Sequence, residues 1–244
     1  MRAAAQTDPG RVRPSNEDCV LADANAGLLI VADGMGGHAA GEIASAMAVK
    51  SISAFLGAAL VPGLPEAAEI RELLARAIDS ASAEIHSLVA RDPALRGMGT
   101  TLVVAVCQPE CVTLGHVGDS RAYLIREGRI RRLTQDHSVV EQMVNAGQIT
   151  PEEARRHHLR NIITRSLGFD ASARPELQTL PWAGGDYLLL CTDGLTGMLE
   201  DEEIAGVFAR PRADLAGVCA KLIALANARG GSDNVSAVVG LNES

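Results

Sequence analysis

Aspartates stand at the ends of several apolar, strand-like runs of this 244-residue chain, a placement that could assemble a metal site. A single carboxylate in such a place is usually a helix cap or a turn former. Several carboxylates on elements that share one sheet edge would be expensive to bury unless they bind a common cation. Oxygen ligands without paired His or Cys favour Mg²⁺ or Mn²⁺ over zinc. The candidate ligands are Asp18, Asp33, Asp119, Asp193 and Asp233.

A glycine-rich stretch, VADGMGGHAAGE, joins a strand-like run to a helical pattern at residues 31–42. Glycine-rich turns before helices often cradle phosphate. This one has no Gly-Lys-Ser/Thr and no GxGxxG spacing, because Ala39 stands where the third Gly would be. From spacing alone, a tight metal-bearing turn, a phosphate cradle and a plain structural turn all remain open.

Composition excludes several classes of function. The formal net charge is −8, which argues against a nucleic-acid partner, since that needs a basic surface. The longest apolar runs are shorter than the roughly 20 residues of a membrane span, and the N-terminus lacks the apolar region of a signal peptide. Five cysteines without CxxC spacing indicate free thiols in a reducing compartment. We therefore expect a cytoplasmic protein with no membrane insertion and no nucleic acid bound.

The apolar patterns that must position these acids are strands in local pairs and helices in separate blocks. Short connections at 107–111 and 126–129 predict antiparallel hairpins. This arrangement indicates an α+β fold rather than a doubly wound sheet. Predicted strands are Leu28–Ala32, Thr100–Cys107, Val112–Val117, Arg121–Arg126, Tyr187–Cys191 and Asn234–Leu241; predicted helices are Gly41–Leu60, Glu66–Ala90 and Ala213–Arg229.

Residues 136–165 differ from the rest of the chain because they are polar and contain two short helical pieces. Thr150 with Pro151 and Glu153 forms a capping-box pattern that starts one of them. We interpret the segment as a surface excursion from a single domain that spans residues 1–244.

Six short motifs occur in one order and together resemble the protein phosphatase 2C family of metal-dependent Ser/Thr phosphatases, in its short bacterial form. The resemblance extends from Arg13 to about Leu241 and implies two packed antiparallel β-sheets flanked by helices on both faces. It also implies that 136–165 is the flap beside the active site. The motifs are Arg13-x-x-Asn16-Glu17-Asp18, Asp33-Gly34-Met35-Gly36-Gly37-His38, Gly99-Thr100-Thr101, Gly118-Asp119-Ser120-Arg121, Thr192-Asp193-Gly194-Leu195 and Ser232-Asp233-Asn234.

The resemblance implies two Mn²⁺ or Mg²⁺ ions in a core site. Asp33 would bridge them, and the carbonyl of Gly34 would add a ligand to one ion. Asp193 and Asp233 would hold the other ion. The N-terminal acid Asp18 would reach the metal directly or through water. Asp119 resembles the residue that holds a third, weaker ion.

Arg13 matches the phosphate-binding arginine of the family, and a guanidinium fork can grip two phosphate oxygens. His38 matches a histidine near the leaving oxygen, where it would donate a proton. Ser120 and Asn234 are expected to orient the adjacent acids. Glu17 stands where many bacterial members carry Gln. No Cys lies in a Cys-x5-Arg loop, so a cysteine-phosphatase nucleophile is lacking.

The implied function is hydrolysis of phosphoserine and phosphothreonine in proteins by direct attack of a metal-activated water, in signal transduction. Expected partners are phosphorylated proteins, namely substrates of a cognate Ser/Thr kinase and the kinase itself. The phosphatase is expected to be a monomer. Two alternatives stay open. One is a catalytically weak phosphoprotein-binding regulatory module on the same scaffold, and the other is a phosphatase of a partner-switching regulator.

Overall fold

The computed structural model describes residues 1–36, 40–60, 65–169, 171–209 and 214–243. Eleven strands form within these ranges, and they make two antiparallel sheets. The strands are β1 (Arg2–Asp8), β2 (Asp18–Asp23), β3 (Leu28–Met35), β4 (Gly99–Thr100), β5 (Leu102–Cys107), β6 (Cys111–Val117), β7 (Arg121–Arg126), β8 (Arg129–Arg132), β9 (Glu176–Pro181), β10 (Tyr187–Cys191) and β11 (Val235–Leu241).

One sheet has the strand order β1-β11-β10-β7-β8, and the other has the order β2-β3-β5-β6-β9 with β4 paired to β3. The chain crosses between the sheets at the turn between β6 and β7. All six residues of β5 and all seven of β11 are buried, because each strand is covered on both faces. The inner core contains Leu29 and Val31 of one sheet together with Leu188, Leu190 and Val238 of the other.

Helices cover both outer faces. On the first face lie α1 (Ala40–Leu60) and α2 (Ala67–Arg91), followed by the 3₁₀ turn Pro93–Leu95. The second face is covered by α5 (Asp193–Thr196), α6 (Asp201–Val207) and α7 (Leu215–Ala228), whose apolar residues pack on β10 and β11. The two packed sheets between helical layers confirm the predicted α+β fold.

Helix α1 is long and apolar enough to cross a membrane, judged by length and composition alone. The lengths of the uninterrupted apolar runs in the sequence did not predict this. Nine of its residues, however, are buried. They pack in the same core as β3 and α2, so α1 has the surroundings of a core helix. Its buried alanines and Ser45 allow a close approach to the sheet.

The predicted strands and helices are found, with ends that move by at most three residues; the largest shift is at β3, which runs to Met35 instead of Ala32. The predicted strand Thr100–Cys107 is divided at Thr101 into β4 and β5. Part of the predicted helix Ala213–Arg229 lies outside the described residues; α7 begins after Asp214, whose side chain accepts a hydrogen bond from the Ala216 amide. Both predicted hairpins are antiparallel pairs. All five cysteines are free.

Four strands were missed: β1, β2, β8 and β9. All four are edge strands, and most of their residues are exposed or half-buried, so their apolar patterns are weak. Edge strands receive little burial and therefore carry little hydrophobic signal. Backbone pairing with a covered neighbour forms them.

The flap, residues 136–165, contains α3 (Val139–Asn145) and α4 (Pro151–Arg156). The capping box predicted at Thr150 is present, with its hydroxyl accepting from the Glu153 amide. The base of the flap closes through backbone hydrogen bonds from Val139 to Ile162 and from Thr164 to His137. A single domain over 1–244 with this excursion stays a prediction.

Candidate active site

The ends of both sheets bring the five predicted aspartates to one region. Asp18 opens β2 and pairs in register with Asp33 of β3. Asp193 is the first residue of α5, directly after β10, while Asp233 lies just before β11. A cleft of about 580 Å³ is lined by Asp33, Asp119, Asp193 and Asp233. Asp18 lies behind them and is buried.

Close backbone packing explains the glycine that follows Asp33. A Cβ on Gly34 would lie 2.1 Å from the carbonyl oxygen of Gly41 and 2.6 Å from that of Glu17. The Gly34 amide also donates to the Glu17 carbonyl over 3.1 Å. The first turn of α1 can therefore approach β3 only if residue 34 has no side chain, and Gly34 lines the cleft beside Asp33.

Burial and mutual repulsion raise the pKa values of four of these carboxyls. For Asp33, burial is the largest cause and the charge of Asp18 the next. Asp193 has a raised pKa because of burial and the charge of Asp233. Burial raises the pKa of Asp18 to about 7 and that of Asp119 to about 8, with Asp193 adding repulsion in both cases.

Among the described residues, only one of the two carboxylate oxygens of Asp18 has hydrogen-bond partners. Its Oδ2 accepts hydrogen bonds from Thr192 at 2.9 Å and Ser236 at 2.6 Å. Its Oδ1 is buried without a hydrogen-bond partner among the described residues. A buried carboxylate oxygen without a partner is costly, so this atom suits a cation or a water bound to one.

Arg13 lies at the rim of the cleft and is the one arginine among the described residues that line it. Its Nη2 donates to Asp233 Oδ2 over 2.8 Å, and this hydrogen bond raises the Arg13 pKa. About half of the side chain is exposed. One guanidinium cannot balance the four aspartates together with Glu17 and Glu42, which also line the cleft, and this leaves a negative site.

The two residues expected to orient the acids lie in hydrogen-bond networks around the cleft. Ser120 Oγ is 2.8 Å from Thr101 Oγ1. Asn234 accepts from the Glu17 amide through Oδ1, and its Nδ2 donates to the carbonyls of Pro9 and Ser15. Asn234 thus ties the segment that carries Arg13 to the start of β11. Their orienting roles stay predictions.

Sequence reasoning assigned no role to three hydroxyls that support the acids. Thr101 Oγ1 accepts from the Asp33 amide at 3.0 Å, and the Thr101 amide donates back to the Asp33 carbonyl. Thr192 and Ser236 hold Asp18, as described above. Thr101 and Thr192 belong to two of the six motifs, so their positions in those motifs were an available signal. Ser236 lies inside a strand and had none.

His38 lies outside the described residues, so its predicted role stays a prediction. Asp119 lies within the acidic cleft and also lines a neighbouring cavity of about 330 Å³ under the flap. The raised pKa values, the orphaned oxygen of Asp18 and the all-oxygen donor set fit a hard divalent cation.

Solved structures share this architecture. The serine/threonine phosphatase PstP/Ppp of Mycobacterium tuberculosis superposes with a TM-score of 0.90 at 38% identity, covering 100% of this chain and 99% of that one. The catalytic domain of PstP in complex with two manganese ions gives a TM-score of 0.84 at 38% identity, covering 98% and 96%. The fold and the acidic cleft therefore define a serine/threonine protein phosphatase.

The family follows from the sequence as well. The family model described as Protein phosphatase 2C matches residues 13–233. The protein phosphatase PhpP of Streptococcus pneumoniae is 42% identical over 248 residues, covering 100% of this chain and 98% of that protein. This chain belongs to the protein phosphatase 2C family, as the six motifs predicted.

Proposed function

We propose that this chain hydrolyses phosphoserine and phosphothreonine in proteins with the help of Mn²⁺ or Mg²⁺. The observation that carries the proposal is the set of aspartates from both sheets that line one cleft. Three of them, Asp33, Asp119 and Asp193, have raised pKa values. Hydrolysis of a phosphate dianion near neutral pH needs positive charge at the phosphoryl oxygens, and among the described residues that line the cleft Arg13 is the one cation. Bound cations would provide the rest.

The core ligands would be Asp33, the Gly34 carbonyl, Asp193 and Asp233, with Asp18 behind them. Once bound, the ions would stabilise charge on the phosphoryl group and lower the pKa of the attacking water. The protein's own task is to hold these oxygens in place. Thr192 and Ser236 fix Asp18, and Thr101 fixes the backbone of Asp33. A third ion at Asp119 is part of the proposal.

Arg13 would bind the substrate phosphate. Its exposed guanidinium already lies against Asp233, within the cleft where phosphate must enter. A planar fork gives two parallel hydrogen bonds to phosphate oxygens and offsets charge that develops as the ester bond breaks. We propose His38 as the donor of a proton to the Ser or Thr leaving oxygen, since an alkoxide leaves poorly.

The partners we propose are phosphoproteins of a cognate Ser/Thr kinase, and the kinase itself, reached by a cytoplasmic monomer. A regulatory module that only binds phosphoproteins is the less favoured reading, because all five acids and Arg13 are retained and brought together. A phosphatase of a partner-switching regulator would use the same site with another substrate.

The proposed function is tested by replacing one core acid. Asp193→Asn should lower the rate on a phosphothreonine peptide in Mn²⁺ by at least about a thousandfold, since losing a ligand removes several kcal/mol of transition-state stabilisation. Phosphate release in Mn²⁺ and in EDTA measures this effect. EDTA should abolish the activity of the wild type.

Asp23→Asn is the matched control, because Asp23 lies at the other end of β2 from the cleft and its Oδ1 only accepts local backbone hydrogen bonds. This variant should keep wild-type activity. Full activity of the wild type in EDTA, or of Asp193→Asn in Mn²⁺, would refute the proposal.

A further inference from the structure

Two histidines and a glutamate form a cluster beside the turn that carries Asp119. The rings of His116 and His137 stack with centroids 4.7 Å apart and planes 23° apart. Both side chains are buried. Glu176 of β9 pairs in register with His116 of β6 and reaches His137 through its carboxylate. The mechanism proposed above uses none of these three side chains.

The hydrogen bonds of His137 determine its tautomer. The Gly118 amide donates to His137 Nδ1 over 3.1 Å. A backbone amide can only donate, so Nδ1 carries a lone pair and the ring proton is on Nε2. Nε2 then donates to Glu176 Oε1 over 3.0 Å, its shorter contact. Arg165 Nη1 is 3.4 Å from Nε2 and donates to the same carboxylate oxygen. His137 is thus oriented by a carboxylate on one side and supports a backbone amide on the other.

The same tautomer argues against a metal ion in this cluster, although the three ligand atoms lie within 4.8 Å of one another. An ion at Nε2 would need the proton on Nδ1, which would then face the Gly118 N–H. The Nε2 of His116 is within 2.9 Å of the Gln135 carbonyl, which can only accept, so that nitrogen also carries a proton. His116 can therefore offer only its Nδ1 lone pair, and His137 has no free lone pair to add to it.

His137 holds Gly118 through its backbone as well. The His137 amide donates to the Gly118 carbonyl over 2.9 Å, so both polar groups of Gly118 bond to one residue. On the other side, a Cβ at Gly118 would lie 2.7 Å from the side chain of Thr101. The turn is held from both sides, and the next residue is Asp119 in the acidic cleft.

Glu176 also joins the two ends of the flap. His137 stands at the first end and Arg165 at the last, and Arg165 Nη1 lies 3.4 Å from Glu176 Oε1. The Thr164 amide donates to the His137 carbonyl over 2.7 Å. A shift of the flap base would therefore move His137 and, through it, the Gly118–Asp119 turn.

We propose that His137 and Glu176 are positioning residues that fix the Gly118–Asp119 turn to both ends of the flap, so that Asp119 is presented to a divalent cation. The inference rests on the proposed function. The essential contact is the lone pair of His137 Nδ1 on the Gly118 amide. Residues that orient metal ligands from behind commonly change metal affinity about 10- to 100-fold when they are replaced.

A pair of variants separates the two nitrogens of His137. In His137→Asn, the side-chain oxygen can replace Nδ1 as acceptor for Gly118. In His137→Gln, the side-chain amide nitrogen can replace Nε2 as donor to Glu176, but the Gly118 amide loses its acceptor. Binding of Mn²⁺, titrated by electron paramagnetic resonance, should show the weakest site about 10- to 100-fold weaker in His137→Gln and nearly unchanged in His137→Asn.

The same variants should differ in kinetics. His137→Gln should lower kcat on a phosphothreonine peptide while KM stays near the wild-type value, because Arg13 is untouched. His116→Asn is the matched control, since it removes the other buried ring of the stack without touching Gly118, and it should bind Mn²⁺ like the wild type.

Equal weakening in His137→Asn and His137→Gln, or no weakening in either, would overturn the proposal. So would a Zn²⁺ ion that the wild type binds and His116→Asn loses. If His137→Gln does not fold, ¹⁵N NMR of the wild-type imidazoles decides, because the proposal requires the neutral Nε2–H tautomer and a proton on Nδ1 contradicts it. Manganese binding is measured without turnover, so an inactive wild type would refute the proposed function and leave this test readable.

Discussion

At the scale of single residues, the acidic cleft is maintained by neighbours that leave its carboxylates partly unsatisfied. Within the described part of the chain, Asp18 keeps one oxygen without a partner, and Arg13 is the one cation among the acids that line the cleft. Such an arrangement costs stability in the free protein, because burial and like charges both disfavour the ionised form. Binding of cations recovers this cost, which is the physical link between the site and its proposed cofactor.

His116 gives a prediction for pH at this scale. Burial is the largest cause of its lowered pKa, and repulsion from His137 when that ring is protonated adds to it, while the hydrogen bond to the Gln135 carbonyl, Glu176 and Asp136 oppose it. The pKa of His116 in the folded state lies below its value of about 6.5 in the unfolded chain. The contribution of the neutral ring to the free energy of unfolding is therefore complete above pH 6.5 and is lost as the pH falls towards the folded-state pKa.

The stability of the wild type should therefore fall relative to His116→Asn as pH drops below about 6.5, by at most about 1.4 kcal/mol per pH unit. Urea unfolding of both proteins at several pH values from 8 to 5.5 measures the difference, and the contributions of groups that do not act on His116 cancel to first order. A constant difference across this range would contradict the prediction.

At the scale of elements, the turns do as much as the strands to define the site. The turn between β6 and β7 carries the chain from one sheet to the other and places Asp119 between them. Gly118 allows this turn with a φ of +105°, a backbone conformation that residues other than glycine rarely adopt. The neighbouring Thr101 leaves no room for a Cβ.

Gly118→Ala compared with Gly128→Ala separates strain from crowding. Gly128 has a φ of +75° in the β7–β8 turn, and a Cβ there would meet nothing within 4 Å. We expect Gly128→Ala to cost about 1 kcal/mol from backbone strain alone. Gly118→Ala should cost about 1–3 kcal/mol more, because overpacking is added to strain.

The free energy of unfolding in urea measures both variants, and Gly118→Ala should also lose phosphatase activity while Gly128→Ala keeps it. Equal destabilisation of the two variants would mean that Thr101 yields to the added methyl group, and the crowding argument would fail.

At the scale of the whole molecule, the proposed metal ligands come from both sheets. Asp18 and Asp33 belong to β2 and β3 of one sheet, whereas Asp193 and Asp233 flank β10 and β11 of the other. Ions bound between them would join the two halves of the sandwich. Cation binding should therefore stabilise the whole fold rather than a single loop.

Mn²⁺ at about 100 times its dissociation constant should add about 2.7 kcal/mol to the free energy of unfolding. For a chain of this size, that corresponds to a rise in Tm of about 5–10 °C. Thermal unfolding with Mn²⁺ and with EDTA measures the shift. Asp193→Asn should lose most of it and Asp23→Asn should keep it; a shift retained in Asp193→Asn would place the ion elsewhere.

The sequence by itself determined the family, the α+β class and which five aspartates are the candidate ligands. Motifs and apolar patterns are local, so they can be recognised without the three-dimensional structure. The fully buried strands β5 and β10 were predictable for the same reason. The edge strands β1, β2, β8 and β9 were not, since pairing with a neighbour, rather than their own burial, forms them.

Only the tertiary structure decided what stands behind the acids. The hydroxyls of Thr192 and Ser236 meet Asp18 across more than 170 positions of sequence. His137 meets the Gly118 amide because the β7–β8 hairpin returns the chain to the β6–β7 turn. Contacts between residues far apart in the chain depend on how whole elements pack, and a local sequence pattern does not predict that packing.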